Sequence, residues 1–191
     1  MSDKTMPAKR AAAVPRAALR APDAKRVVDL AGGVILLLLL CPALLMIAAV
    51  AAVTCRGAVL ARRDRAGQGG RTFTMLVFHM NLATPAGRTL HHHFLDQLPQ
   101  LINVVRGEMS LVGPRPLPPA HRDRAAKLGV RPGITGLWQI SGRSELPWEE
   151  MDVLDLHYVE QHWLGLDLKI LVRTPAAAVA GRRPPRAVRL T

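Results

Sequence analysis

The sequence predicts an α+β fold: a small, mostly helical domain with a β-hairpin, set on an N-terminal re-entrant (kinked) membrane helix. Three observations predict it. Residues 30–55, LAGGVILLLLLCPALLMIAAVAAVTC, carry no charge and hold a proline near the middle. A glycine-rich turn, Gly67 to Gly70, separates a basic stretch from the β-prone stretch TFTMLVF. Apolar residues at helical spacing recur in three later segments.

The charge-free run is long enough to cross about 30 Å of hydrocarbon at 1.5 Å per residue. It is too long and starts too late for a signal peptide. It is apolar on every side, which argues against a buried helix of a soluble domain. Pro42 removes a backbone donor and crowds the preceding turn, so a kink is expected there. Both flanks are basic: Lys4, Lys9, Arg10, Arg16, Arg20, Lys25 and Arg26 before, Arg56, Arg62, Arg63 and Arg65 after. Lysine and arginine beside membrane segments stay cytoplasmic. Two basic flanks suit a helix that bends at Pro42 and returns to the side it entered. The domain reading is therefore a basic arm over 1–24, the kinked helix over 25–55, a cytosolic domain over 56–174 and a basic tail over 175–191. The arm lacks periodicity and is expected to be disordered near anionic lipid.

Composition narrows the partners. The chain has 191 residues, a net charge of +12 and a pI near 11.3, which point to a polyanion: nucleic acid, anionic membrane or phosphorylated substrate. Aromatics are only 4%, thin for the stacking platforms of single-strand binding. Cys41 and Cys55 lie in the apolar run, with no disulfide framework or zinc spacing, so a reducing, cytosol-facing location is expected.

Within the domain, residues 63–78 read as the hairpin. No GxxxxGK[ST] phosphate loop is present. TLHHHFLDQLPQ, residues 89–100, leaves three readings open: a metal site at His91, His92 and His93, a catalytic carboxylate at Asp96, or an inert loop. Phe94, Leu95, Leu98, Leu101, Ile102 and Val105 have helical spacing, with Pro99 marking a kink or a start. Residues 107–119 read as proline-punctuated loop holding Arg115 between Pro114 and Pro116. Residues 130–147 are turn-rich, with Arg131 and Arg143 near their ends. A helix over 147–163 opens on Pro147 and two glutamates, a favourable first turn. It turns Trp148, Met151, Leu154 and Tyr158 to the core. The second apolar helix, 163–181, is short for a span and suits the membrane interface. Arginines around one carboxylate suit phosphate oxygens, which guanidinium groups bind in pairs. That pattern fits a phosphorylated substrate from the cytosol and a lipid partner from the bilayer.

KRVVDLAGGVILLLLLCPALLM, RAGQGGRTF, LDQLPQLINVVRGEMSLVGPRPL, RPGITGLWQISGR and LDLHYVEQHWLGLDLKIL together resemble the monotopic phosphoglycosyl transferase family of bacterial sugar transferases, over residues 25 to 174. The resemblance implies transfer of a sugar phosphate from a UDP-sugar to a polyprenyl phosphate such as undecaprenyl phosphate. This is the first lipid-linked step of exopolysaccharide or glycan synthesis at the cytoplasmic face of the inner membrane. It implies a re-entrant helix broken at Cys41-Pro42, a covalent aspartyl intermediate, and Mg²⁺ as cofactor. Asp96 matches the nucleophile. Gln97 stands where the family has a metal-assisting glutamate, keeping an oxygen and losing the charge. His91 stands where the family has an arginine, Val77 to Asn81 replace a KFRTM-like stretch, and Gly57-Ala58 replaces Gly-Pro. The resemblance thus implies catalytic Asp96 and Gln97, with Gln97 as weakened metal ligand, and substrate contacts from His91, Arg115, Arg131 and Arg143. Membrane lipid is the expected surface partner; nucleic acid is not expected, since only charge favours it. The second reading is a catalytically impaired relative that binds nucleotide sugar or partner enzymes. It is motivated by Gln97, Val77, His79 and His91. Three adjacent histidines cannot easily face one ion, so the metal reading of His91 to His93 is the weaker one.

Overall fold

The computed structural model describes residues 22–55, 57–141, 148–161 and 163–181. Arg143 and Pro147 lie outside the described residues, as do most of the N-terminal arm and of the C-terminal tail.

The apolar run forms two helices, α1 (Pro22–Leu39) and α2 (Cys41–Thr54). Their axes meet at 62°. Leu40 leaves helical geometry at φ −90° and ψ 2°, and Pro42 follows at the start of α2, where its missing N–H costs least. Among the described residues no single helix is long and apolar enough to cross a membrane; this bent pair meets that test together. Ile35, Leu38 and Leu39 on α1 and Leu45, Met46 and Val53 on α2 are exposed.

The first half of α1 is built into the domain. Lys25 Nζ donates to Asp167 at 2.5 Å and to the Val112 carbonyl at 3.1 Å. Asp29 is buried and accepts from Ser110 Oγ at 2.8 Å and from the Leu111 amide at 3.0 Å. Gly32 makes the approach possible: a Cβ there would sit 2.7 Å from Leu111 Cδ1.

Strands β1 (Leu60–Ala66) and β2 (Thr72–Phe78) pair antiparallel, with Arg63 opposite Met75 and Arg65 opposite Phe73. Gly69 and Gly70 take positive φ of 67° and 76° in the connecting turn, a conformation glycine adopts freely. Helices α3 (Pro85–His92) and α4 (Gln100–Arg106) follow. Then comes β3 (Ser110–Val112), α5 (Arg122–Leu128), β4 (Gly133–Thr135), α6 (Leu137–Ile140), α7 (Trp148–Gln161) and α8 (Leu164–Ala180). β3 and β4 form a short parallel pair. The core gathers Met75 and Val77 of β2, Leu101 and Val104 of α4, Met109, Leu111, Val112, Tyr158 and Ile170.

The hairpin and the helices over 148–161 and 164–180 match the sequence expectation. Three features refine it. Of the two readings of Pro99, a kink or a helix start, the start holds: α4 begins at Gln100 with Pro99 as its cap, and the apolar spacing from Phe94 to Leu98 is not helical continuation, because Phe94 adopts φ 59°. The segments read as loops, 107–119 and 130–147, each contain a three-residue strand, too short to show alternation. Tyr158 is buried as expected, but Asp155 joins it inside α7.

Candidate active site

Asp96 lies in a single 3-10 turn, Leu95–Gln97, between α3 and α4. The turn exists because Phe94 takes a left-handed conformation, the one non-glycine residue to do so among those described. Such a backbone is costly for a bulky residue and persists where its surroundings fix it. Thr84 caps α3 by accepting from the Gly87 amide at 3.1 Å, and Pro85 follows at its first position. That helix delivers His91 to the carboxylate: His91 Nδ1 lies 3.0 Å from Asp96 Oδ2. Asp96 is 5% exposed.

Asp96 and Gln97 line a cavity of about 440 Å³. The hairpin contributes Arg63, Arg65, Met75 and Val77 to its wall, α4 adds Gln100, and Arg115 closes one side. Arg63 and Arg65 both reach it because they are two apart on β1 and so share a face. Burial, and then the charge of Arg63, lower the Arg65 pKa from the ordinary arginine value. Arg65 Nε is buried with no hydrogen-bond partner among the described residues. A partly buried cation beside a second, exposed one makes a favourable field for an anion.

Arg115 is held by α7. Its backbone amide and its Nε donate to Asp155 at 3.1 and 2.9 Å, and its Nη2 pairs with Asp152. Arg124 pairs with the other oxygen of Asp152. Burial pushes the Asp155 carboxyl above the ordinary carboxylate range, opposed by the bonds and charge of Arg115. Burial and the neighbouring Arg115 lower the Arg124 guanidinium, with Asp155 opposing.

The sequence-derived candidates therefore divide. Asp96, Gln97 and Arg115 share one cavity, and His91 touches Asp96 from behind the lining. Arg131 lines a different cleft and donates from Nε to the Gly107 carbonyl at 2.9 Å. Arg143 is outside the described residues. The three histidines diverge: His93 Nδ1 contacts the Ala178 carbonyl at 2.9 Å, and the His92 ring meets the His93 ring edge-on. Among the described residues no group of three or more His, Cys, Asp or Glu could hold a metal. Among the described residues the oxygen donors lining the cavity are one carboxylate, Asp96, and two side-chain amides, Gln97 and Gln100. That suits Mg²⁺, which binds through one or two carboxylates and takes other ligands from phosphates and water.

A family model described as bacterial sugar transferase matches residues 20–181. The chain belongs to the bacterial sugar transferase family. An uncharacterized sugar transferase, EpsL of Bacillus subtilis (strain 168), is 36% identical over 170 residues, covering 78% of this chain and 84% of the relative. The exopolysaccharide production protein ExoY of Rhizobium meliloti (strain 1021) is 33% identical over 196 residues, covering 83% and 87%. The UDP-glucose:undecaprenyl-phosphate glucose-1-phosphate transferase of Caulobacter vibrioides is 35% identical over 181 residues, covering 78% and 67%.

In this sugar transferase the sequence reading missed Arg63, Arg65, Asp152 and Asp155. Arg63 and Arg65 were legible as a period-two pair on a strand facing one side. Asp152 and Asp155 stand three apart on a helix, the spacing that aims two carboxylates at one partner.

Proposed function

We propose that this chain moves a sugar phosphate from a UDP-sugar to a polyprenyl phosphate, through a covalent intermediate on Asp96, as an early step of exopolysaccharide or glycan assembly. The observation that carries this reading is a buried carboxylate, oriented by His91, at the edge of a cavity walled by Arg63, Arg65 and Arg115.

An Asp96 oxygen attacks the sugar-bearing phosphorus. The bond from that phosphorus to the bridging oxygen breaks, and UMP leaves with the electron pair. The polyprenyl phosphate oxygen then attacks the same phosphorus, the acyl phosphate bond breaks, and the Asp96 carboxylate returns. Two easier displacements replace one between two anions. His91 fixes the rotamer of the nucleophile. The three arginines offset the negative oxygens brought together in each step. Arg115 has least freedom to move, since Asp152 and Asp155 already hold it, so it serves as the fixed wall of the phosphate site. Mg²⁺, held by Asp96, Gln97 and the diphosphate, would add positive charge at the non-bridging oxygens.

The bent pair α1–α2 enters the cytoplasmic leaflet by its apolar tip, a re-entrant placement that leaves both ends on one side. The exposed stripe Leu164, Leu168, Val172 and Val179 of α8 lies along the interface.

The test is UMP release with membranes, polyprenyl phosphate and a panel of UDP-sugars, with Asp96→Asn beside the wild type. Intact mass should show a sugar-phosphate adduct on the wild type when the lipid acceptor is withheld, and none on Asp96→Asn. Product formation without any adduct would overturn the covalent route. A non-catalytic binding role is favoured by one observation, that Asp96 is the one carboxylate lining the cavity among the described residues. Silence of the wild type with every sugar, relieved by Gln97→Glu, would establish that role instead.

A further inference from the structure

A second cleft, of about 540 Å³, lies outside the Asp96 cavity and shares no lining residue with it. Arg71 enters it from the hairpin turn, Arg106 from the last turn of α4, and Arg131 from the segment before β4. Arg26 of α1 stands directly behind. Its Nη1 donates to the Val104 carbonyl at 2.9 Å, and its Nη2 lies 3.1 Å from where a Cβ on Gly107 would be. Gly107, at φ 91°, gives its carbonyl to Arg131. Backbone carbonyls at the C-terminal end of α4 and at Gly107 thus hold two of the four guanidinium groups.

Three arginines line the cleft and a fourth, Arg26, stands behind it, with little to balance them. None of the four has a carboxylate within 4.0 Å among the described residues, whereas Arg115 and Arg124 both do. The one acid in the lining, Glu108, accepts instead from the Asn103 amide at 2.6 Å. Asn103 is itself fixed by the β2 backbone, accepting from the Leu76 amide at 3.0 Å and donating to the Thr74 carbonyl at 2.8 Å. Glu108 is therefore held aside by a neutral partner. Packing like charges without a counter-ion costs free energy, and an anion in the cleft would recover it. Guanidinium groups from separate elements, partly pinned in advance, match the several oxygens of a phosphate.

We propose that Arg26, Arg71, Arg106 and Arg131 form a second phosphate-binding site, separate from the Asp96 cavity, that takes a phosphate group from an anionic lipid headgroup or a soluble phosphorylated molecule. The site does not depend on the reaction assigned to Asp96, so each can fail alone.

The test uses the full chain in neutral detergent micelles. Arg63→Ser/Arg65→Ser serves as background, stripping the Asp96 cavity of two cations. Into it go Arg71→Ser/Arg106→Ser, both at exposed positions. Melting temperature is followed against inorganic pyrophosphate in one arm. In the other, micelles carry phosphatidylglycerol or, as reference, phosphatidylcholine. The expected result is a rise in melting temperature in the background with at least one of pyrophosphate or phosphatidylglycerol. The arginine-to-serine pair should weaken the apparent affinity by roughly tenfold for each charge-assisted hydrogen bond removed. A pyrophosphate response identifies a soluble source, and a phosphatidylglycerol response without one identifies a lipid. No rise in either arm, or equal responses with and without Arg71 and Arg106 in both, overturns the proposal. Arg71→Glu alone repeats the comparison should the combined variant unfold.

Discussion

Asp155→Asn isolates what holds Arg115 in place. The side chain keeps its size and one oxygen, so the bond from the Arg115 amide, 3.1 Å long, survives. The bond from Nε, 2.9 Å long, does not, because the new amide presents a donor to a donor. A hydrogen bond to a charged group contributes about 1.5–3 kcal/mol, and a facing pair of donors adds to its loss. Against this, asparagine is cheaper to bury than the carboxylate whose pKa burial already raises. Asp152 still holds Nη2. The net loss is then about 2 kcal/mol, or roughly 4–8 °C in melting temperature for a chain of this size. Circular dichroism melts of the purified protein in neutral detergent read it directly. Asp152→Asn provides the contrast: Asp152 is 23% exposed where Asp155 is 1%, and its loss should lower the melting temperature by less. Equal melting temperatures for wild type and Asp155→Asn, or a larger fall for Asp152→Asn, would refute the claim that the buried carboxylate anchors Arg115.

Three further outcomes are expected. Gln97→Glu adds a second carboxylate beside Asp96 and should lower the Mg²⁺ concentration for half-maximal UMP release by about tenfold; an unchanged titration would remove Gln97 from the metal's surroundings. Gly32→Val places a side chain where Leu111 Cδ1 leaves only 2.7 Å and should cost about 1–3 kcal/mol in thermal unfolding; a neutral result would show that α1 can shift away from β3. Tyr158 is buried, its hydroxyl donating to Asp167 at 2.7 Å, and burial first and the Asp167 charge second push its pKa well upward. Above about pH 10, the ordinary tyrosine value, the unfolded chain releases this proton while the folded chain keeps it, so stability falls as pH rises. Tyr158→Phe should flatten that alkaline slope in urea unfolding measured at stepped pH, and an unchanged slope would assign the loss to other groups.

Much of the scaffold was legible because local chemistry dictates it. Pro42 in a charge-free run marks the bend, and the glycines at 67–70 mark the hairpin. What escaped depends on distant partners. Nothing near Phe94 announces a left-handed backbone, so the periodicity of 94–105 leaves a kink or a start at Pro99 equally open and does not show the turn carrying Asp96. β3 and β4 exist through pairing with each other, not through a pattern of their own. Arg63 and Arg65 read as membrane-flanking charge until the hairpin register places them on the cavity wall. Arg131 shows the converse: a basic residue in a motif-rich segment need not sit at the motif's cavity.

The lock formed by Lys25 and Asp29 acts as a depth stop. A helix whose first turns are bonded to β3 and α8 cannot slide lengthwise without stripping a buried carboxylate of its donors. From Val34 to the break at Leu40 the remaining stretch, in which Leu36, Leu37 and Leu40 still pack on the core, measures about 9 Å at 1.5 Å per residue, far short of a hydrocarbon slab of about 30 Å. With the tip in a bilayer, as proposed, the turn would come within the nearer monolayer. Under the proposed re-entrant placement the domain would ride at a fixed height above it, and the proposed lipid acceptor would not have to change sides to be reached.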